Sequence, residues 1–341
     1  MRAPICRSAL AERAPERALC VDVGTGVAGA LVSAASSRRD FVAGHGTVDL
    51  AGSLWLPDSP PVASVVMYPG SGGADRHNGS YFAPIRAHLL ARRCAICSFD
   101  KRGVGASSGR WQDADIVEQA QDVLAVVGTV VAAVPMRTPV GLFGHSQGGW
   151  VVLEVASRTE SVGFVVTNSG PGVSPGEQMR YAALSEMTAA GASAAEVNDT
   201  MRHFDMALSL MRDDLPFGPA LRRLEAAVGS TSALSAVARL VPADADEWRF
   251  ASAIIDYDPR PAMSKVRVPL LAVFGTHDDI VPVRASVRAF RDSVRGDLLT
   301  LKLFAGADHR IHTGDGHSLA DGYLQTLSAF VALARAPHET P

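Results

Sequence analysis

A serine flanked by glycines lies at the centre of the segment Gly-His-Ser-Gln-Gly-Gly at 144–149. The segment follows an apolar strand pattern at 139–143 and leads into a helical pattern at 147–157. In that context G-x-S-x-G forms a sharp strand-to-helix turn that exposes the serine hydroxyl, and the helix N-terminus offers N–H groups to an anion. Ser146 is therefore a candidate nucleophile, and the alternative is a glycine-rich turn carrying a surface serine.

An acid to orient the catalytic base is the second requirement, because a serine hydroxyl is a weak nucleophile that needs a base held in place. With this turn, the order along the chain is Ser, then Asp or Glu, then His. Two adjacent carboxylates, Asp278 and Asp279, follow the apolar strand pattern at 269–274. We assign Asp278 as the acid and interpret Asp279 as a solvated turn residue or a cap for the next helix.

The candidate base is His309, which follows the strand pattern at 298–304. A loop at that point delivers a side chain to the carboxyl edge of the sheet, where the serine turn also lies. His312 and His317 follow within a few residues. We interpret these two histidines as surface loop residues.

Serine acyl transfer also needs two backbone N–H donors for the oxyanion. One is assigned to Gln147, the residue after the nucleophile. The other is expected from the glycine loop at 69–73, which follows the β-branched run at 63–68. Ser71 is the assigned donor and Gly72 the reserve, while a plain tight turn is the alternative interpretation of this loop.

Two further patterns are weighed as sites of other chemistry. Acidic and histidine residues crowd 277–279 and 308–317, but the second segment is interrupted by glycines and lacks H-E-x-x-H, so we expect no metal and no other cofactor. Cys94 and Cys97 form C-x-x-C. They lie in a strand pattern, where residues three apart face opposite sides, and are interpreted as buried structural cysteines.

The elements that position these residues alternate between strand and helix beyond residue 40. This alternation predicts an α/β fold, a mostly parallel sheet flanked by helices. The alternating apolar and polar residues at 46–56 indicate an antiparallel hairpin at its start. Segment 171–262 contains helical patterns without a convincing strand, and we interpret it as a helical cap inserted at a strand end. Helices are expected there at about 176–190, 194–213 and 217–240.

The expected domains are an α/β core at 41–170 and 263–341, the cap at 171–262 and a leader at 1–40. The leader begins with basic residues and runs into a small apolar stretch, a layout that loosely matches a secretory signal but contains acidic residues. We expect it to be disordered or signal-like. Cytoplasmic location is favoured, and secretion stays open if residues 1–40 contain a cleaved signal.

The composition limits the partners of the chain. With 341 residues, 47% hydrophobic side chains and a net charge of −3, the chain is too apolar and too weakly charged for disorder. Its balanced charge provides no basic stripe for nucleic acid. No uninterrupted apolar run reaches the roughly 20 residues of a membrane span. The expected partner is a small molecule, and the oligomeric state is left open.

Three motifs in this order resemble the serine hydrolases of the α/β-hydrolase fold: the turn GHSQGG, the acid turn GTHDDIVP and the base segment AGADH. The resemblance covers roughly residues 45–335. More narrowly, PGSGGADRHN followed by SFDKRGVGASSG is similar to bacterial esterases of the dienelactone-hydrolase and prolyl-oligopeptidase-like group. Pro69 occupies the position of that group's first oxyanion-motif histidine. Asp75 and Arg76 match its Asp-Arg pair, and the D-K-R-G element at 100–103 is implied to be a structural loop.

The resemblance implies hydrolysis of a carboxylic ester with a small or medium acyl group, through an acyl-enzyme formed on Ser146. A thioesterase, lactonase or peptidase would use the same three residues and is the alternative enzyme. A non-catalytic binding protein that retains only the scaffold is the alternative from another class.

Overall fold

The computed structural model describes residues 36–228, 231–314 and 316–334. Eight strands form one sheet in the order β1-β2-β4-β3-β5-β6-β7-β8. They are β1 (Ser36–His45), β2 (Val48–Pro57), β3 (Ala63–Tyr68), β4 (Cys94–Phe99), β5 (Val140–His145), β6 (Phe164–Asn168), β7 (Leu270–Gly275) and β8 (Leu299–Phe304). β1 and β4 pair with β2 in antiparallel fashion, and the remaining pairs are parallel. The predicted mostly parallel sheet is confirmed.

Helices join the strands and cover both faces of the sheet. They are α1 (Phe82–Leu90), α2 (Ile116–Ala133), α3 (Gln147–Ala156), α4 (Pro175–Ala189), α5 (Ala194–Arg212), α6 (Phe217–Ala227), α7 (Thr231–Leu240), α8 (Ala245–Ile254), α9 (Arg260–Lys265), α10 (Val283–Ser293) and α11 (Tyr323–Ala334). A short 3-10 turn at Trp111–Asp113 precedes α2, and two two-residue strands, β9 (His312–Thr313) and β10 (Ser318–Leu319), pair before α11.

The core consists of two apolar layers on opposite sides of the central strands. β3 to β7 are buried along their whole length, as expected for parallel strands covered on both faces. Side chains of α2, α3, α8, α9 and α10 belong to one layer, and side chains of α1 and α11 belong to the other. The sheet therefore holds the loops at its carboxyl edge on a rigid base.

The segment between β6 and β7 is helical, as its sequence pattern predicts, and contains α4 to α9. A third apolar cluster, formed by side chains of α4 to α8, is separate from the two layers on the sheet. The sequence pattern predicts one helix at 217–240, whereas the structure has two helices there, α6 and α7. The sequence pattern did not predict α8, which follows them. The boundaries of the cap at 171 and 262 stay a prediction, although α9 crosses the second of them and buries Met263 against the sheet.

The opening hairpin starts earlier than the sequence pattern suggests. β1 begins at Ser36 and pairs with β2 from Ser36↔Pro57 to His45↔Val48. Residues 36–40 are thus part of the sheet and not of the leader, because their backbone groups have a pairing partner in β2. The rest of the expected leader lies outside the described residues.

One helix of the described residues, α2, is long and apolar enough by composition to cross a membrane. Its apolar side, including Ala120, Val123 and Val127, lies in the core layer that covers the sheet. The burial of that side accounts for its composition in the folded chain.

Candidate active site

The serine turn joins β5 to α3. Ser146 has φ 53° and ψ −123°, a backbone conformation outside the regions that residues other than glycine ordinarily adopt. Such a backbone conformation costs about 1–3 kcal/mol of folding free energy. The turn is held from both sides: the Ser146 N–H donates to Asn168 O over 2.9 Å, and Ser146 O accepts from the Gly149 N–H over 2.8 Å. The sequence-predicted strand–turn–helix context is therefore present, with the serine 2% exposed.

Close packing explains the two glycines that flank this serine. A Cβ on Gly144 would lie 2.1 Å from Gly148 O, and a Cβ on Gly148 would lie 2.7 Å from the carbonyl oxygens of Tyr68 and Pro69. Any other residue would force backbone atoms apart. The same contacts show that the turn abuts the end of β3, where the loop at 69–73 begins.

The candidate acid and base are paired. His309 Nδ1 lies 2.8 Å from Asp278 Oδ2, and both side chains are buried. Because an ionised carboxylate only accepts hydrogen bonds, Nδ1 carries the proton and Nε2 is the basic nitrogen. The other oxygen of Asp278 accepts from the N–H groups of Ile280 (2.9 Å) and Val281 (2.8 Å), which fixes the carboxylate plane.

Asp279 differs from Asp278 in its exposure to solvent. It is exposed, and α10 begins without a side-chain cap, which fits a solvated turn residue and not a helix cap. The two neighbouring carboxylates thus have different surroundings, since Asp278 alone contacts His309.

A tight turn delivers His309 to this position. Asp308 Oδ1 accepts from the N–H groups of Arg310 and His312, each over 2.8 Å. Ile311, fully buried, adopts φ 59°, a conformation that is a genuine outlier for a β-branched residue. The strain at Ile311 is tolerated because buried packing and the Asp308 hydrogen bonds determine the course of the chain here.

Ring contacts connect the base to the serine turn. The His309 ring centroid lies 5.1 Å from that of His145, the residue before Ser146. The His145 ring lies in turn 4.7 Å from Tyr81. The structure therefore brings His309 and Asp278, from loops after β8 and β7, beside the turn after β5.

The two assigned oxyanion donors lie on adjoining elements. Gln147 is buried in the first turn of α3, and Ser71 is half-buried in the loop after β3. Their backbone N–H groups belong to the two segments that meet at Gly148. Two residues that hold these segments together were not predicted from the sequence. The sequence pattern did not indicate a contact between the Asp-Arg pair at 75–76 and the D-K-R-G element at 100–103.

Arg76 and Asp100 are these two residues. The Arg76 guanidinium donates to Asp100 through Nε (3.0 Å) and Nη2 (2.6 Å), and its backbone N–H donates to the same carboxylate over 2.9 Å. Burial raises the pKa of the Asp100 carboxyl, but hydrogen bonds from Arg76 and Ala106 outweigh burial and hold it below its ordinary value. The ion pair ties the loop after β3 to the end of β4.

The other histidines and the two cysteines singled out in the sequence lie in environments different from that of His309. His312 is half-buried and His317 is exposed. Within residues 36–228, 231–314 and 316–334, no group of three or more His, Cys, Asp or Glu side chains could hold a metal ion. Cys94 and Cys97 are buried, unbridged thiols in β4. Burial raises the pKa of the Cys97 thiol far above its ordinary value, which suppresses the reactive thiolate.

Comparison with known proteins identifies a family and similar structures for this chain. Residues 65–321, more than half of the chain, match the model of the family described as the Alpha/beta hydrolase family. Among solved structures, DcsB in complex with its substrate analogue has a TM-score of 0.59 at 15% identity, covering 88% of this chain and 100% of that chain.

Two further structures extend the comparison. Proline iminopeptidase of Mycobacterium smegmatis has a TM-score of 0.57 at 16% identity, covering 87% of this chain and 99% of its own. An esterase of Pyrococcus furiosus has a TM-score of 0.56 at 16% identity, covering 88% and 92%. At these identities the likeness shows a common fold.

Proposed function

Because the chain belongs to the α/β hydrolase family, we propose that it is a serine hydrolase that cleaves a carboxylic ester of a small or medium acyl substrate. One observation carries this proposal: the buried His309–Asp278 hydrogen bond of 2.8 Å lies beside the strained turn of Ser146. A histidine oriented by a carboxylate next to a serine is the arrangement that activates a hydroxyl nucleophile. A scaffold that only binds ligands has no need of all three residues.

The reaction follows from these groups. His309 Nε2 takes the proton of Ser146 as the hydroxyl oxygen attacks the ester carbonyl, and the N–H groups of Gln147 and Ser71 stabilise the oxyanion. The protonated His309, steadied by Asp278, gives its proton to the departing alcohol. Water, deprotonated by His309, then attacks the acyl-enzyme, and the acid leaves as Ser146 regains its proton.

The inserted segment contacts two elements of the proposed site. Tyr181 of α4 donates a hydrogen bond from its hydroxyl to Asp278 O over 3.0 Å, so the first inserted helix contacts the acid turn directly. Trp150 of α3 donates to Val173 O over 3.2 Å. The insertion is thereby held against the acid turn and against the helix that follows the nucleophile, where it would bound the acyl pocket.

The pairing of the buried carboxylates favours an ester over a peptide with a free amino terminus. A peptidase is represented among the similar structures by the proline iminopeptidase. The buried carboxylates of the described residues are Asp100, Asp122 and Asp278. Each is already paired, with Arg76, Arg102 and His309 respectively. None of these three is left to neutralise a substrate ammonium group. The similarity of segments 69–78 and 98–109 to bacterial esterases supports the same choice.

The proposed bond preference is tested with one acyl group presented in different linkages. We expect the p-nitrophenyl butyrate ester to be hydrolysed with a kcat/KM at least about tenfold above the butyryl thioester and the p-nitroanilide, as selectivity for an oxygen ester requires. Among p-nitrophenyl esters, kcat/KM should fall beyond medium chain length. Ser146→Ala protein measures the background rate. A higher kcat/KM for thioester, lactone or amide would contradict the ester assignment.

A further inference from the structure

Lys101 is a buried cation next to the assigned oxyanion donors. It lies at the end of β4 and is 3% exposed. Its Nζ donates to Gly70 O and, over 3.4 Å, to Gln147 Oε1. These two acceptors belong to the loop after β3 and to the first residue of α3. Lys101 therefore connects the two segments whose N–H groups are assigned to the oxyanion.

The Gly70 carbonyl and the Ser71 N–H belong to one peptide group. No cis peptide occurs among the described residues, so this group is trans and planar, and its C=O and N–H point in opposite directions. A donor that fixes Gly70 O consequently fixes the direction of the Ser71 N–H. None of the hydrogen bonds found among the described residues uses the Ser71 N–H, which leaves it available to a ligand.

The positive charge of Lys101 strengthens its hydrogen bond to Gly70 O. A hydrogen bond from an ammonium group to a carbonyl is stronger than one between neutral groups, and it polarises the amide so that its N–H becomes a better donor. The Nζ atom also lies 5.1 Å from the centroid of the Tyr68 ring, whose hydroxyl donates to Gln119 over 2.9 Å. Burying a cation is costly without such partners.

Neighbouring contacts hold Lys101 and the loop in one unit. The Lys101 N–H donates to Ala74 O over 3.2 Å, and Ser98 Oγ donates to Arg76 O over 2.6 Å. The Arg76–Asp100 ion pair adds a third link. The end of β4 is thus tied to both ends of segment 70–76, so the Nζ position relative to Gly70 is well determined.

We propose that Lys101 is a positioning residue for the oxyanion hole, which orients and polarises the Gly70–Ser71 peptide and orients the Gln147 side chain. This inference rests on the proposed function, since it concerns the oxyanion formed after attack by Ser146. It assigns a role in the reaction to the lysine of the D-K-R-G element. Lys101 itself does not touch the substrate.

The test compares Lys101→Met and Lys101→Gln with the control Lys265→Met. Met removes the charge and leaves an unbranched side chain that is one atom shorter, and Gln keeps a neutral NH2 donor group. Lys265 is an exposed lysine at the end of α9. We expect kcat for p-nitrophenyl butyrate to fall about 10- to 100-fold in Lys101→Met, less than loss of a whole oxyanion donor. For Lys101→Gln we expect a fall of about fivefold or more, since a neutral donor is weaker. Lys265→Met should match the wild type.

A transition-state analogue separates oxyanion positioning from general support of the fold. The affinity for a trifluoromethyl ketone, which forms an oxyanion on the serine, should fall in parallel with kcat/KM, while KM changes less than about threefold. Equal analogue affinity in folded variants and wild type, or an activity loss explained by the unfolded fraction in a thermal melt, would overturn the role of Lys101. If Lys101→Met does not fold, Lys101→Gln alone decides.

Fluorophosphonate labelling distinguishes this failure from failure of the proposed function. If wild-type Ser146 is labelled and the Lys101 variants react at the wild-type rate and retain kcat, only the role of Lys101 is wrong. If the folded wild type is not labelled at Ser146, the proposed function and the inference both fail. Slower labelling of both Lys101 variants, with Lys265→Met unchanged, supports the inference.

Discussion

Replacement of Ser146 by alanine is expected to lower kcat/KM for ester hydrolysis by about 10⁴-fold or more, leaving only the binding and oxyanion contributions. Alanine keeps the Cβ of serine, so the backbone at φ 53° carries the same strain and the fold should be retained. The measurement is steady-state hydrolysis of p-nitrophenyl butyrate, together with a thermal melt of each protein.

Ser169→Ala is a matched control for this variant. Ser169 follows β6, the neighbour of β5 in the sheet, is fully buried and adopts a similar φ of 50°. Its hydroxyl makes no hydrogen bond with the described residues. We expect Ser169→Ala to retain kcat/KM within about threefold, as for a substitution that touches no reacting group. Comparable losses in both variants would mean that the loss of activity is not specific to removal of the Ser146 hydroxyl.

The double variant Ser146→Ala/His309→Ala extends the same prediction. His309→Ala alone should lose about as much activity as Ser146→Ala, because residues that act as one unit give non-additive losses. The double variant should then be no worse than either single variant. Losses that multiply would indicate that the serine and the histidine act independently.

Asp278→Asn should lower kcat by about 10³- to 10⁴-fold, because an amide next to His309 Nδ1 favours the wrong imidazole tautomer, as in other serine hydrolases. Asparagine retains an oxygen that can accept from the N–H groups of Ile280 and Val281, so the turn should persist. Asp279→Asn is the paired control, since Asp279 is exposed, and we expect its kcat to stay within about twofold of the wild type.

The comparison of these two variants decides the identity of the acid. A thermal melt of both proteins checks that Asp278→Asn remains folded under the assay conditions. If Asp279→Asn were far more damaging than Asp278→Asn, the assignment of Asp278 would be wrong. The exposed carboxylate of Asp279 would then have to perform the orienting role.

The parts of the site predicted from sequence are those with a local signal. The turn around Ser146 is recognisable because two glycines, an apolar run and a helical pattern occur within about 20 residues. His309 follows a strand pattern, and its position at the sheet edge follows from the parallel topology. The choice between Asp278 and Asp279 depends on which carboxylate turns back toward His309, a contact spanning 31 residues.

The braces of the oxyanion loop could not be read in the same way. Arg76 meets Asp100 across 24 residues, and Lys101 meets Gln147 across 46. These contacts arise only once β3, β4 and β5 are adjacent in the sheet. A sequence pattern records the residue types but not which of the many charged side chains the sheet order brings together.

The additional inserted helix α8 is a different case, because its signal is local. Asp244 caps α8 by accepting from the N–H groups of Asp246 and Glu247, each over 2.9 Å. The apolar residues Trp248 and Ile254 follow on its buried side. An acidic cap before a periodic apolar run is a recognisable helix start, so this helix could have been predicted.

Covalent labelling shows whether Ser146 is an activated nucleophile. The folded protein is treated with a fluorophosphonate, and the modified residue is identified by peptide mass spectrometry. We expect a single adduct on Ser146, absent from Ser146→Ala and strongly slowed in His309→Ala. A folded wild-type protein that forms no adduct, or forms it on another residue, would show that Ser146 is not the activated nucleophile.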